Sequence, residues 1–225
     1  MMNKDQDYIK TLENAIKQML QPLKDIPFNL VIEAMTGKKV ISFDRSNPEH
    51  QEVLKLLKQA ALKAGSEINK TGILRPRPNE VGNDIEPYVR NALNYLELRA
   101  DIPVGPSGHK KAMGYPDIIF WHNDRPYYLE CKTYNIENIE TTQRSFYFSP
   151  SDEFKVIYDA PHFILSFEIY VAGEKGNNHI YKCKHYKILS IESLLLDVKY
   201  EFNSDNKRMY SGKNGTIVLD EGEVE

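Results

Sequence analysis

Two hydrophobic rhythms run along the chain. Ile9, Leu12, Ile16, Met19 and Leu20 recur at helical spacing, and so do Val53, Leu54, Leu57, Ala60 and Ala61. Between these stripes, the runs over 28–32 and 39–43 predict short strands. Asn83-Asp84-Ile85-Glu86-Pro87 reads as a helix start of the capping type, with Ile85, Val89, Leu93 and Leu96 along one face. Beyond it the pattern is mainly that of strands: over 98–104, at Ile118-Ile119-Phe120-Trp121, from Tyr127 to Lys132, and most strongly over 161–171. A helix is expected over 139–148, where Gln143 and Tyr147 stand four residues apart on one face. Glu174 to Asn178 marks a turn, strand-like segments continue to about Tyr200, and 212–219 suggests a further turn and strand before an acidic, frayed end.

The candidate chemistry lies in the middle of this pattern. Asp117 opens one strand; His122-Asn123-Asp124-Arg125-Pro126 supplies turn residues; Tyr127-Tyr128-Leu129-Glu130-Cys131-Lys132 resumes the extended pattern. Side chains alternate along a strand, so Tyr127, Leu129 and Cys131 share one face while Tyr128, Glu130 and Lys132 share the other. A bent hairpin can therefore bring two carboxylates and an ammonium to one point. Converging carboxylates repel and need a compensating cation, and oxygen-only ligands suit magnesium or manganese. A neighbouring lysine can orient or deprotonate a water, or neutralise phosphate charge.

This arrangement resembles the PD-(D/E)xK nuclease superfamily, whose motif reads Pro116, Asp117, Glu130 and Lys132 here. The resemblance implies an α/β (α+β) fold with a restriction-endonuclease-like core: a mixed central sheet flanked by helices, in αβββαβ order over residues 80–171. Residues 1–79 form a helical and mixed addition and residues 172–225 a β-rich one, all within a single nuclease domain. It also implies metal-dependent hydrolysis of phosphodiester bonds, with Mg2+ as the ion and Mn2+ as a substitute. Asp117 and Glu130 would hold the ion, with the Cys131 carbonyl a further ligand and Glu86 an outer-shell or second-ion contributor. Lys132 would help prepare the attacking water, and the products would carry 5′-phosphate and 3′-hydroxyl ends. Glu86 has an equal alternative, as a capping residue or the partner of Arg90 one turn later. Gln143 and Tyr147 match the Gln-x-x-x-Tyr motif of some members. Glu153-Phe154-Lys155 also fits acid-x-Lys, but it lacks the alternating apolar approach and follows Ser149-Pro150-Ser151-Asp152, which reads as a turn into a helix; Glu130 and Lys132 are preferred.

Composition narrows the function. A chain of 225 residues buries about 70% of its unfolded surface as one domain, enough to fold without disulfide or metal. No apolar run is long enough to cross a bilayer and no secretory signal is evident, so a cytoplasmic protein is expected. Cys131 and Cys183 lack metal-ligand spacing; Cys131 reads as a small buried residue, and no disulfide is expected. The net charge of −3 argues against indiscriminate coating of nucleic acid, while leaving room for local positive charge. Lys70, Arg75, Arg77, His109, Lys110, Lys111, Gln143 and Arg144 flank the proposed site in sequence and are candidates for contacts to DNA. No Walker motif is present.

Compact size and long additions around the core favour a type II restriction endonuclease acting on double-stranded DNA as a homodimer, with a cognate methyltransferase acting separately. Three alternatives stand beside it. One is a structure-specific repair or junction nuclease, which would read DNA shape. Another is a non-catalytic DNA-binding module on the same fold. The last is an accidental motif, with Asp117 capping a turn and Glu130 paired to Lys132 or Arg125 on the surface.

Overall fold

Spacing alone makes helices of both amino-terminal stripes, but only one of them is buried. In the computed structural model, which describes residues 2–21, 23–108, 114–135, 146–150 and 153–199, the first stripe lies on helix α1 (Met2–Met19). Its Tyr8, Ile9, Leu12 and Ile16 are exposed. This helix belongs to a unit made of Met1–Asp25 and Leu196–Glu225, distinct from the larger unit Ile26–Leu195. The second stripe lies on helix α3 (Pro48–Thr71) of the larger unit, where Val53, Leu57, Ala60, Ala61, Ala64 and Ile68 are fully buried. Asn47 starts α3 by accepting the Glu49 N–H at 2.9 Å, with Pro48 as the first helical residue.

The larger unit is built on a five-stranded mixed sheet in the order β2-β6-β5-β4-β3. The strands are β2 (Ile73–Arg75), β3 (Ile118–His122), β4 (Arg125–Tyr134), β5 (His162–Lys175) and β6 (Asn178–Ser190); two-residue strands β1 (Ile26–Pro27) and β7 (Leu195–Leu196) lie outside this sheet. The β4–β5 pair is parallel and the others antiparallel. The hairpins follow their turn residues. Asn123 and Asp124, at φ 49° and 59°, form the two-residue loop between β3 and β4, and Gly176 at φ 61° opens the one between β5 and β6. One sheet face, carrying Phe120, Leu129, Cys131, Leu165 and Phe167, packs under α3 and α4 (Gly82–Tyr95) to form the main core. Asn69 ties α3 to β6 by exchanging two hydrogen bonds, of 2.7 and 2.8 Å, with the Cys183 backbone. Cys131 and Cys183 are buried free thiols.

The mixed α/β class and the helix-flanked sheet agree with expectation, but four local expectations do not. Residues 28–32 belong to helix α2 (Phe28–Thr36), because Phe28 and Ile32, both fully buried, pack one turn apart and Gly37 in the left-handed region closes the helix. A short apolar run is ambiguous between strand and helix, and burial one turn apart decided it. The 39–43 run makes only a bridge, Val40 with Ala160. The 98–104 run likewise contributes a bridge, Asp101 exchanging two 2.9 Å hydrogen bonds with Ile119 at the outer edge of β3, and no continuous strand. Lys155 lies in irregular chain and not in a helix. The expected helix over 139–148 falls outside the described residues except 146–148, which are not helical, and the 212–219 turn and strand fall outside them altogether.

Candidate active site

Asp117 immediately precedes β3, and the β3–β4 ladder ends at the Ile118–Leu129 pair. Beyond that pair, the Cys131 N–H donates to Asp117 Oδ2 at 2.8 Å. A carboxylate thus takes the place of the next strand partner, and this turns Asp117 toward Glu130. Alternation along β4 sends Tyr127, Leu129 and Cys131 into the main core and leaves Glu130 and Lys132 on the opposite face. Lys132 Nζ donates to Glu130 Oε1 at 2.6 Å. Glu130 is 4% exposed, which excludes a surface ion pair, and its Oε2 is buried with no hydrogen-bond partner. Arg125, the other partner considered for Glu130, pairs with Glu49 instead.

The electrostatics follow from this burial. Glu130 is pushed up to about 7, chiefly by burial and then by the Asp117 charge, with Lys132 and Lys155 pulling it back. Asp117 is raised by burial against the opposing Cys131 hydrogen bond. Glu86, on the third residue before Val89 of the buried α4 stripe, is raised by burial and by Asp117. It also pairs with Arg90 at 2.8 Å, the ion pair that its alternative reading expected. It does not cap α4, which begins at Gly82; the acid of that start, Asp84, forms a two-point ion pair with Arg75 at 2.6 and 2.7 Å.

A divalent cation suits this donor set. Two oxygen ligands converge, one buried carboxylate oxygen lacks any partner, and the pair repels when both are ionised. Among the described residues no three His, Cys, Asp or Glu side chains group closely enough to hold a metal between them. The ion's remaining positions would therefore fall to water or backbone oxygen, as magnesium accepts.

One participant escaped the sequence reading. Lys155 is 3% exposed, and its ammonium donates to the carbonyls of Gly114 at 2.6 Å and Pro116 at 2.9 Å, in the turn that delivers Asp117. Its charge reaches Asp117, Glu130 and Glu86. The signal was the acid-x-Lys string itself, set aside because Glu130 fits the strand pattern better. Glu153, the acid of that string, instead accepts from the Ser107 hydroxyl at 2.7 Å. An aromatic group covers the same sheet face: Tyr115, Phe28, Phe146 and Phe148 pack around His162 and Tyr128, and Lys132 lies 5.9 Å from the Phe146 ring centre.

The basic candidates have varied surroundings. Lys70 pairs with Glu67 at 2.7 Å on the surface, Arg75 is engaged by Asp84, and Arg77 is exposed ahead of a short 3-10 helix, Pro78–Glu80. His109, Lys110, Lys111, Gln143 and Arg144 lie outside the described residues.

Comparison with known proteins gives two positive findings. A family model described as the type II restriction enzyme MjaV family matches residues 9–213. The type II restriction enzyme MjaV of Methanocaldococcus jannaschii is 37% identical over 222 residues, covering 92% of this chain and 94% of that protein. No solved structure matches the chain.

Proposed function

Because the chain belongs to the MjaV family of type II restriction enzymes, we propose that it cuts double-stranded DNA at a specific sequence, with Asp117, Glu130 and Lys132 as its catalytic centre. The observation that carries this reading is the buried convergence of two carboxylates, one with an orphaned oxygen, beside the Lys132 ammonium at 2.6 Å. Asp117 and Glu130 would hold Mg2+, or Mn2+ in its place, with the Cys131 carbonyl a further ligand and Glu86 an outer-shell or second-ion contributor. When bound, the ion supplies Lewis-acid charge at the scissile phosphate and acidifies its water. Lys132 orients the attacking water and faces the charge that develops on phosphate. Glu130 accepts the Lys132 hydrogen bond and keeps the ammonium aimed. Asp117, fixed by the Cys131 N–H, holds the other side of the cleft. In-line attack of water then leaves 5′-phosphate and 3′-hydroxyl ends.

Residues 1–225 act as one nuclease domain with additions on both sides of the core. Lys70, Arg75, Arg77, His109, Lys110, Lys111, Gln143 and Arg144 are our candidates for phosphate and base contacts. Cleaving both strands of a symmetric site requires two active sites, so the working form is a homodimer. A separate methyltransferase would protect the host's own copies of the site. None of the described helices is long and apolar enough to cross a membrane; the cytoplasm is our proposed location.

The test is incubation of the protein with long unmethylated duplex DNA and Mg2+, beside Asp117→Ala and Glu130→Gln proteins whose folding has been checked by circular dichroism. Discrete fragments are expected from the parent. Each variant should lose about 10²-fold or more of the rate, the scale on which an active-site electrostatic group registers. A folded Asp117→Ala protein that cuts at the parent rate would refute the assignment.

A further inference from the structure

We propose that Lys155 is a positioning residue of this active site, clasping the Gly114–Pro116 turn so that the Asp117 carboxylate is held facing Glu130. The proposal rests on the catalytic reading of Asp117 and Glu130. Two sets of contacts hold the segment. The Lys155 ammonium takes the Gly114 and Pro116 carbonyls at 2.6 and 2.9 Å, and the Cys131 N–H takes the Asp117 carboxylate at 2.8 Å. Two ammonium hydrogen bonds, to the carbonyls one and three residues before Asp117, fix the direction from which that side chain leaves the backbone.

An ammonium as buried as this one needs compensating negative charge as well as hydrogen bonds. Asp117, Glu130 and Glu86 supply it, and Lys155 in turn favours the ionised form of each. The residues around Lys155 tolerate this placement because they are anchored without the ammonium. Phe154 is buried against Phe148, Val156 is buried, and the Tyr128 hydroxyl accepts the N–H groups of Ile157 at 2.9 Å and Tyr158 at 3.2 Å. Removing the charge therefore leaves the segment anchored and loosens the turn ahead of Asp117.

The experiment compares Lys155→Met, Lys155→Arg and Asp117→Ala with the parent. Cleavage of long duplex DNA in Mg2+, retention of the same DNA in Ca2+, and circular dichroism are measured on each. Lys155→Met should fold and bind DNA within about threefold of the parent, yet cleave about 10²-fold more slowly, as expected when a catalytic group is displaced by about 1 Å. Lys155→Arg, which restores donors and charge, should return the rate to within about tenfold of the parent. A folded Lys155→Met protein cutting within about fivefold of the parent rate overturns the proposal, on the same positional scale. So does a folded Lys155→Arg protein no faster than Asp117→Ala, and this second comparison decides alone if Lys155→Met does not fold. An active Asp117→Ala protein would instead sink the site reading itself, whereas an inactive one beside a fully active Lys155→Met protein sinks this proposal alone.

Discussion

Glu130 is held in a place that opposes its own ionisation. Burial and the Asp117 charge raise its carboxyl from the ordinary 4.5 to about 7, so the folded protein binds that proton more tightly than the unfolded chain. Stability from this group is complete below the unfolded value and is lost as pH rises through about 7, and Asp117 acts in the same direction. His162 acts oppositely. Burial lowers it from 6.5 to about 3, so the folded state prefers the neutral ring and its contribution is lost as pH falls below 6.5. Below pH 6.5 the two effects offset each other, so urea unfolding in EDTA should show the parent losing stability between about pH 6.5 and pH 8. Glu130→Gln should flatten that limb and leave the acid limb set by His162 intact. Mg2+, by favouring the ionised carboxylates, should restore the stability of the parent at the alkaline end. A parent profile flat across the alkaline limb in EDTA would contradict the buried, repelling pair.

At the scale of elements, junctions carry the constraints that position the sheet. Gly72 ends α3 at φ 74°, its N–H bonded to the Ile68 carbonyl at 2.8 Å, and turns the chain into β2. A Cβ there would lie 2.4 Å from Ile180 Cγ2 and 3.2 Å from the Tyr181 carbonyl oxygen. Gly72→Ala should cost about 2 kcal/mol or more in chemical unfolding, from backbone strain and overpacking together; a neutral substitution would show that α3 and β6 move apart freely. The β3–β4 hairpin was legible in sequence because turn residues and period-two alternation are local properties. So were α1, α3, α4 and β5, from the spacing of their apolar residues. The helix at Phe28 was not, since the buried Phe28 ring packs against aromatic partners distant in sequence, Tyr115 and His162. Nor was the reduction of 98–104 to isolated bridges, the one at Asp101 depending on where β3 places its outer edge.

At the scale of the molecule, the proposed homodimer would bring a symmetric pair of active sites to the two strands. Light scattering in the presence of duplex DNA should give a protein component of twice the chain mass; a persistent monomer that still makes double-strand breaks would remove the homodimer from the account. The sequence by itself determined the periods of the main helices and strands, the hairpin turn, and the face shared by Glu130 and Lys132, because each depends only on residues close together in the chain. The tertiary structure alone decided which charges meet. It buried Glu130, bonded Asp117 to the Cys131 N–H, brought Glu86 of helix α4 within the field of Asp117, and drew Lys155 out of a discarded motif to the turn before Asp117. Burial, ion pairing and the acidity of a carboxyl arise from neighbours far away in sequence, and only the packed sheet and its connections specify them.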